Sequence, residues 1–283
     1  MRPVLLRRSA LGDVVLLGAV TKALGEAAVV TDARYVPLVE RMIGVARAIP
    51  WGEGLAGERG PVVDLQGSLR SRRLAPWAGR VRKHGLRRRL RLWTALAGGR
   101  PPVTALYAAA CGVRPAPSPW LRLPEARRDA LVLLPGAAWA PKRPRAEALV
   151  AAGRAWRGPV VVIGGPGEDA LVRAVAGAVP GAEGLVERGF ERTLAWMARA
   201  RVAVGGDSGL VHLAGACGAR VVALFGPTHP DDGFFVHEGE ALGLDLPCRP
   251  CTLHRVPRCR EGHGGCADVP IPWVLEAVAR CAG

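Results

Sequence analysis

Lysine is nearly missing from this chain: of 39 basic residues only Lys22, Lys83 and Lys142 are lysines. Aromatic residues are scarce at 5%, and the longest run without a charged residue spans 13 positions, Pro101 to Val113. A bilayer-spanning helix needs about 18 or more apolar residues, so no membrane-crossing segment is expected. Arg7, Arg8 and Asp13 interrupt any apolar core near the N-terminus, which argues against a signal peptide there and for a cytoplasmic chain. Seven cysteines are too few to staple a fold of 283 residues with disulfides.

What is present supports globular folding. Hydrophobic residues make up 49% and charged residues 22%, and the length suits two domains of moderate size. The net charge of +15 is unevenly placed. Residues 1–128 hold 23 basic and 8 acidic side chains, whereas residues 129–283 hold 16 of each. A basic half faces an anionic partner such as nucleic acid, a membrane surface or a phosphorylated substrate. Alternatively it is a solvated arginine face inflated by genomic base composition, since Ala, Gly and Pro are abundant as well.

Short apolar runs alternate with segments of helical period. Residues 4–6 read as a strand, Ser9-Ala10-Leu11-Gly12-Asp13 as a turn, and 14–24 as a helix. Strands follow over 28–30 and 61–65, with helices around 35–43 and 68–75. Residues 70–91 hold ten basic side chains and no acidic one, and with the proline-rich stretch 114–124 they suit a linker. The alternation then restarts. Strands are expected over 131–134, 160–163, 202–204 and 221–225, with helices over 145–155, 168–178, 193–199 and 208–217. The predicted fold is therefore α/β: an N-terminal domain, residues 1–124, and a C-terminal domain, residues 125–283, each with a parallel sheet and with a cleft between them.

The segment Val202 to Ala214 runs from a buried strand through Gly205-Gly206-Asp207-Ser208-Gly209 into an apolar helix. Asp207 or Ser208 can cap that helix, and its free N–H groups with the helix dipole suit a phosphate. His212 lies one turn further on, either as a donor to a phosphate oxygen or as a satisfied core histidine. The loop Pro135-Gly136 to Lys142 follows another strand; Lys142 is either a charge for a diphosphate or a solvated loop lysine. Glu168 is either a ribose acceptor or a first-turn helix acid. Asp13, in the turn after the first strand, is either a general base for a substrate hydroxyl or a helix cap.

These segments together resemble the heptosyltransferase family, glycosyltransferase family 9, which transfers heptose from ADP-heptose in lipopolysaccharide core assembly. The resemblance rests on Ser9-Ala10-Leu11-Gly12-Asp13-Val14-Val15, Asp64-Leu65-Gln66-Gly67-Ser68, Pro135-Gly136 with Lys142, Asp207-Ser208-Gly209-Leu210-Val211-His212, and Leu224-Phe225-Gly226-Pro227-Thr228. It implies a GT-B type fold of two Rossmann-like domains and inverting transfer with no cofactor required for catalysis. It further implies that Asp13 is the base and that Lys142, Ser208 and Gly209 hold the diphosphate. Gly136, Asp207 and His212 complete the donor pocket, and Glu168 holds the ribose. The basic first half, with Arg70, Arg72 and Arg73, then suits an anionic glycolipid acceptor at the inner membrane face. The alternatives are another enzyme of the same architecture, such as a sugar-nucleotide epimerase, or a nucleic-acid-binding protein. Sparse aromatics and the lack of a recognised motif weigh against nucleic acid.

One cluster stands apart. Cys248, Cys251, Cys259 and Cys266 share a Cys-rich loop, 248–266, with His254 and His263. Their spacing suggests a structural zinc site, with a disulfide or free thiols as alternatives.

Overall fold

A computed structural model describes residues 1–55, 57–75, 101–251, 257–259 and 261–283. The chain divides into two compact units, the first made of residues 1–122 with 231–236 and the second of residues 123–230 with 237–283.

The first unit opens with β1 (Val4–Leu6), all three side chains fully buried. Two short helices, α1 (Leu11–Val15) and α2 (Gly18–Leu24), replace the single helix expected over 14–24; Leu16 and Leu17 turn between them. β2 (Ala27–Thr31) is buried throughout. The helix expected over 35–43 shrinks to one turn, α3 (Val36–Val39). Residues beyond it leave the helix because their backbone is claimed elsewhere: Met42 bridges to Leu121, and Ile43 N–H donates to Trp120 O at 2.8 Å. β3 (Val45–Pro50), β4 (Val62–Asp64) and α4 (Leu69–Leu74) follow. Ser68 and Ser71 cap α4 reciprocally.

α5 (Val103–Ala110) lies in a region expected to be linker. Its first N–H, on Val103, donates to Gly233 O at 2.8 Å, within the same unit. The four strands are parallel, in the order β3-β2-β1-β4. Direction reverses at β1, so the crevice of this sheet opens beyond the carboxyl ends of β1 and β4.

The second unit alternates strand and helix more regularly. Its elements are β5 (Ala130–Leu134), α6 (Ala146–Ala155), β6 (Val160–Gly164), α7 (Asp169–Ala178), β7 (Glu183–Val186), α8 (Glu191–Arg199), β8 (Ala200–Gly206), α9 (Gly209–Ala216), β9 (Arg220–Leu224), β10 (Gly239–Leu242) and α10 (Ile271–Ala282). The six strands are parallel in the order β10-β9-β8-β5-β6-β7. β5 and β6 are buried on both faces, as their unbroken Val, Leu and Ile require. Leu131, Leu133, Val162, Val204 and Val222 form the core with Leu149 of α6 and Val274 of α10. The strand order reverses between β5 and β8, at the carboxyl edge where Pro135 and Asp207 begin their loops and where open α/β sheets in general take ligands. Among the described residues no helix is long and apolar enough to cross a membrane.

Candidate functional site

In the first unit, the loops after β1 and β4 are tied to each other. Gln66 Oε1 accepts from Arg8 N–H at 3.0 Å and Ser9 N–H at 3.4 Å. Asp64 Oδ1 accepts from Gln66 N–H and Gly67 N–H, and its Oδ2 from the Ser71 hydroxyl at 2.8 Å. Asp13 sits inside α1, whose cap is Ala10, so the capping alternative for Asp13 falls away. Its Oδ2 lies 2.5 Å from Arg7 Nη2, and its Oδ1 accepts the Tyr107 hydroxyl at 3.0 Å. Burial works against the Arg7 cation, but Tyr107 and Asp13 outweigh it and hold the guanidinium above its ordinary pKa. Neither Arg7 nor Tyr107 stands out in the sequence. Arg70, Arg72 and Arg73 are exposed on α4, beside an exposed Leu69. The remaining basic residues of the expected cluster, Arg80 to Arg91, lie outside the described residues.

In the second unit, the loops after β5, β6, β8 and β9 converge on one edge. Lys142 is no solvated loop residue: it is 8% exposed, and its Nζ lies 2.7 Å from Asp207 Oδ2. Thr228 Oγ1 donates to the same oxygen at 2.9 Å. Burial would raise the Asp207 pKa, but Lys142, His212 and the two hydrogen bonds overcome it and keep the carboxyl below the ordinary range. A side chain on Gly206 would run into the Lys142 carbonyl, which is why glycine precedes Asp207.

Ser208 occupies the N-cap of α9 without making a capping bond, and its Oγ is buried with no hydrogen-bond partner. Gly209 begins the helix, whose dipole and free N–H groups suit an anion. One turn in, His212 Nδ1 lies 3.1 Å from Nε2 of His237, a residue with no local signal in the sequence. Burial, then the His212 charge, drives the His237 pKa well below the usual value. The ring of His237 packs where a Gly215 side chain would stand.

Glu168 precedes α7 and spends Oε2 on Gly165 N–H at 2.7 Å, not on capping its helix. Its carboxylate lies against Gly136, where any Cβ would collide with it. Lys142, Asp207, Thr228 and His212 are thus one electrostatic group, and Gly136 with Glu168 a second contact pair.

The cysteines line one cavity of about 320 Å³ with His263, Arg143 and Arg145, close to Pro227. Cys251 N–H donates to Pro227 O, and Arg249 Nη2 donates to Thr228 O, both at 2.9 Å. All four thiols are free, so no disulfide joins them. Cys248 Sγ lies 3.8 Å from His263 Nε2, but among the described residues no three His, Cys, Asp or Glu side chains are placed to hold a metal ion. The four cysteines and His263 gather on one cavity as expected, while His254 lies outside the described residues. What the loop does visibly is brace the Pro227-Thr228 backbone beneath Asp207.

Parallel sheets in these two strand orders, with glycine-bearing loops at the carboxyl edge of the second, define an α/β protein of the GT-B type. A family model for glycosyltransferase family 9 (heptosyltransferase) matches residues 107–254, more than half of the chain. The chain belongs to that family. A 56-residue stretch is 45% identical to lipopolysaccharide heptosyltransferase 1 of Pseudomonas aeruginosa, covering 19% of this chain and 16% of that protein's length. In fold, the chain is similar to the E. coli ADP-heptose lipopolysaccharide heptosyltransferase II, with a TM-score of 0.74 at 21% identity over 100% of this chain and 98% of that one. A family 9 glycosyltransferase from Veillonella parvula gives a TM-score of 0.71 at 19% identity, over 99% and 97%.

Proposed function

We propose that the chain transfers a sugar with inversion from a nucleotide sugar, heptose from ADP-heptose, to a hydroxyl of an anionic glycolipid of lipopolysaccharide-core type. The observation that carries this is the buried, unpartnered Ser208 Oγ at the opening of α9, beside the Lys142–Asp207 pair, at the strand-order reversal of the second sheet. A hydroxyl held dry without a partner suits a ligand oxygen, and the helix N-terminus beside it suits a diphosphate. The family and the naming of the E. coli fold relative as an ADP-heptose enzyme support the donor.

In this reading Asp13 accepts the proton of the acceptor hydroxyl as that oxygen bonds to the anomeric carbon. The bond from the anomeric carbon to the phosphate oxygen breaks, and its electron pair leaves with the nucleoside diphosphate. Backbone N–H groups at Ser208 and Gly209, with the Lys142 cation, take up the charge that develops there. Glu168 accepts from the ribose hydroxyls, and Gly136 leaves room for it. No step is assigned to a metal ion and no nucleic acid takes part. Arg70, Arg72 and Arg73 bring the chain to the cytoplasmic face of the inner membrane, where anionic headgroups concentrate.

The test is thermal shift against ADP, GDP, UDP and dTDP sugars, followed by product analysis with the best of them. The reading expects ADP-heptose to raise the Tm most and a new glycosidic bond to form only when acceptor is added. A rearranged free nucleotide sugar would identify an epimerase instead, and no response to any nucleotide would remove the donor site.

A further inference from the structure

Tyr107 is 1% exposed, in the middle of α5, where a phenylalanine would fill the same space. Burying a phenol costs free energy unless its hydroxyl finds a partner. Here the hydroxyl donates 3.0 Å to Asp13 Oδ1, across 94 residues of sequence. The other carboxylate oxygen is engaged by Arg7 Nη2 at 2.5 Å. Arg7 is anchored in turn: its Nη1 donates to Leu65 O at 2.9 Å, and its guanidinium lies 5.8 Å from the Tyr107 ring centroid. The Arg7 side chain is 8% exposed and that of Asp13 20%. Two groups far apart in the sequence therefore grip one oxygen each, while part of the Asp13 side chain still meets solvent.

We propose that Tyr107 is a positioning residue for Asp13. Its hydroxyl, with the Arg7 fork, fixes the plane of the carboxylate and decides which lone pairs face the sugar acceptor. The inference rests on Asp13 being the base, as proposed above. Donors to the charged form of a carboxylate favour it over the neutral acid, and where the sugar–phosphate bond is already activated the base has only to be aligned as the proton departs. Tyr107 reaches Asp13 because α5, which carries it, is a formed helix of this unit.

The deciding variant is Tyr107→Phe, assayed with saturating donor across a range of pH. The expected result is a kcat lowered by about 10- to 100-fold, as for misalignment of a reacting group, with donor and acceptor KM within about twofold. Loss of a donor to the carboxylate also moves the acid limb of the kcat profile to higher pH. Replacing Tyr107 with 3-fluorotyrosine, whose hydroxyl is a stronger donor, moves the same limb to lower pH and leaves the fold intact if Tyr107→Phe proves unstable. A kcat loss with the limb unmoved in both variants would assign Tyr107 to packing alone and overturn the inference. Asp13→Asn separates the two layers. If it abolishes transfer while Tyr107→Phe keeps wild-type kcat and pH profile, the positioning role fails and the base stands. If Asp13→Asn remains active, the base assignment itself fails.

Discussion

Lys142 Nζ and Asp207 Oδ2 meet at 2.7 Å with both side chains largely buried, joining a loop after β5 to the turn before α9. The pair fixes the register of two loops that the sheet brings to one edge but does not itself hold together. Lys142→Met removes the cation and leaves a buried carboxylate without its ion-pair partner, which should cost about 3 kcal/mol in denaturant unfolding. The sign of the pH effect follows from the depressed Asp207 pKa. In the wild type its contribution is present above the unfolded value near 4 and is lost as pH falls through the lower folded value. In the variant that acid-side loss should shrink, because burial is then opposed only by His212 and Thr228.

His237 adds a separate acid sensitivity at higher pH. Its folded pKa lies well below the usual value, through burial and the neighbouring His212 charge. The unfolded chain therefore binds a proton first as pH falls below about 6.5, and native stability is drawn down. Replacing it by Asn should flatten the stability profile below about pH 6.5, read by denaturant unfolding at a series of pH values. An unchanged slope would show that another group titrates there.

Gly136 and Glu168 give a prediction about the donor. Gly136→Ala drives a methyl into the Glu168 carboxylate. Displacing that acceptor should weaken ADP about tenfold, near 1.4 kcal/mol. The check is calorimetry with ADP and with 2′,3′-dideoxy-ADP. Wild-type protein should prefer ADP and the variant should bind both alike, a non-additivity expected only if the carboxylate meets the ribose.

The exposed face of α4 is tested on vesicles. Converting Arg70, Arg72 and Arg73 together to Gln should weaken binding to phosphatidylglycerol-containing vesicles by about 100-fold, at about 1 kcal/mol per charge. The loss should fade at high salt, and pure phosphatidylcholine vesicles should bind neither form. Equal binding by both proteins would end the membrane reading.

The parts of the fold that the sequence revealed are those whose environment writes itself locally. β5, β6, β8 and β9 are sandwiched on both faces, so their residues form short apolar runs bounded by glycine or charge. The sharper strand–glycine–helix signal at Asp207, Ser208 and Gly209 was legible for the same reason. β3, β7 and β10 were not: Arg47, Glu183 and Glu240 interrupt their patterns. α5 escaped because it is apolar on most sides and flanked by prolines, so it has no polar stripe to give it a period. Its signal was instead the longest uncharged run in the chain, which marks burial without naming the structure. Arg7, Tyr107 and His237 have no motif at all. Each matters through a partner brought in by folding, and only the tertiary structure pairs them.

The hydrogen bond from Val103 to Gly233 has a consequence for synthesis. The amino-terminal unit owns a strap that the ribosome delivers only after most of the second sheet has been translated. At about 5–20 residues per second, roughly 7–26 s separate the two ends of that bond. Through that interval the start of α5 waits for its acceptor, so the unit encoded first cannot be the unit finished first.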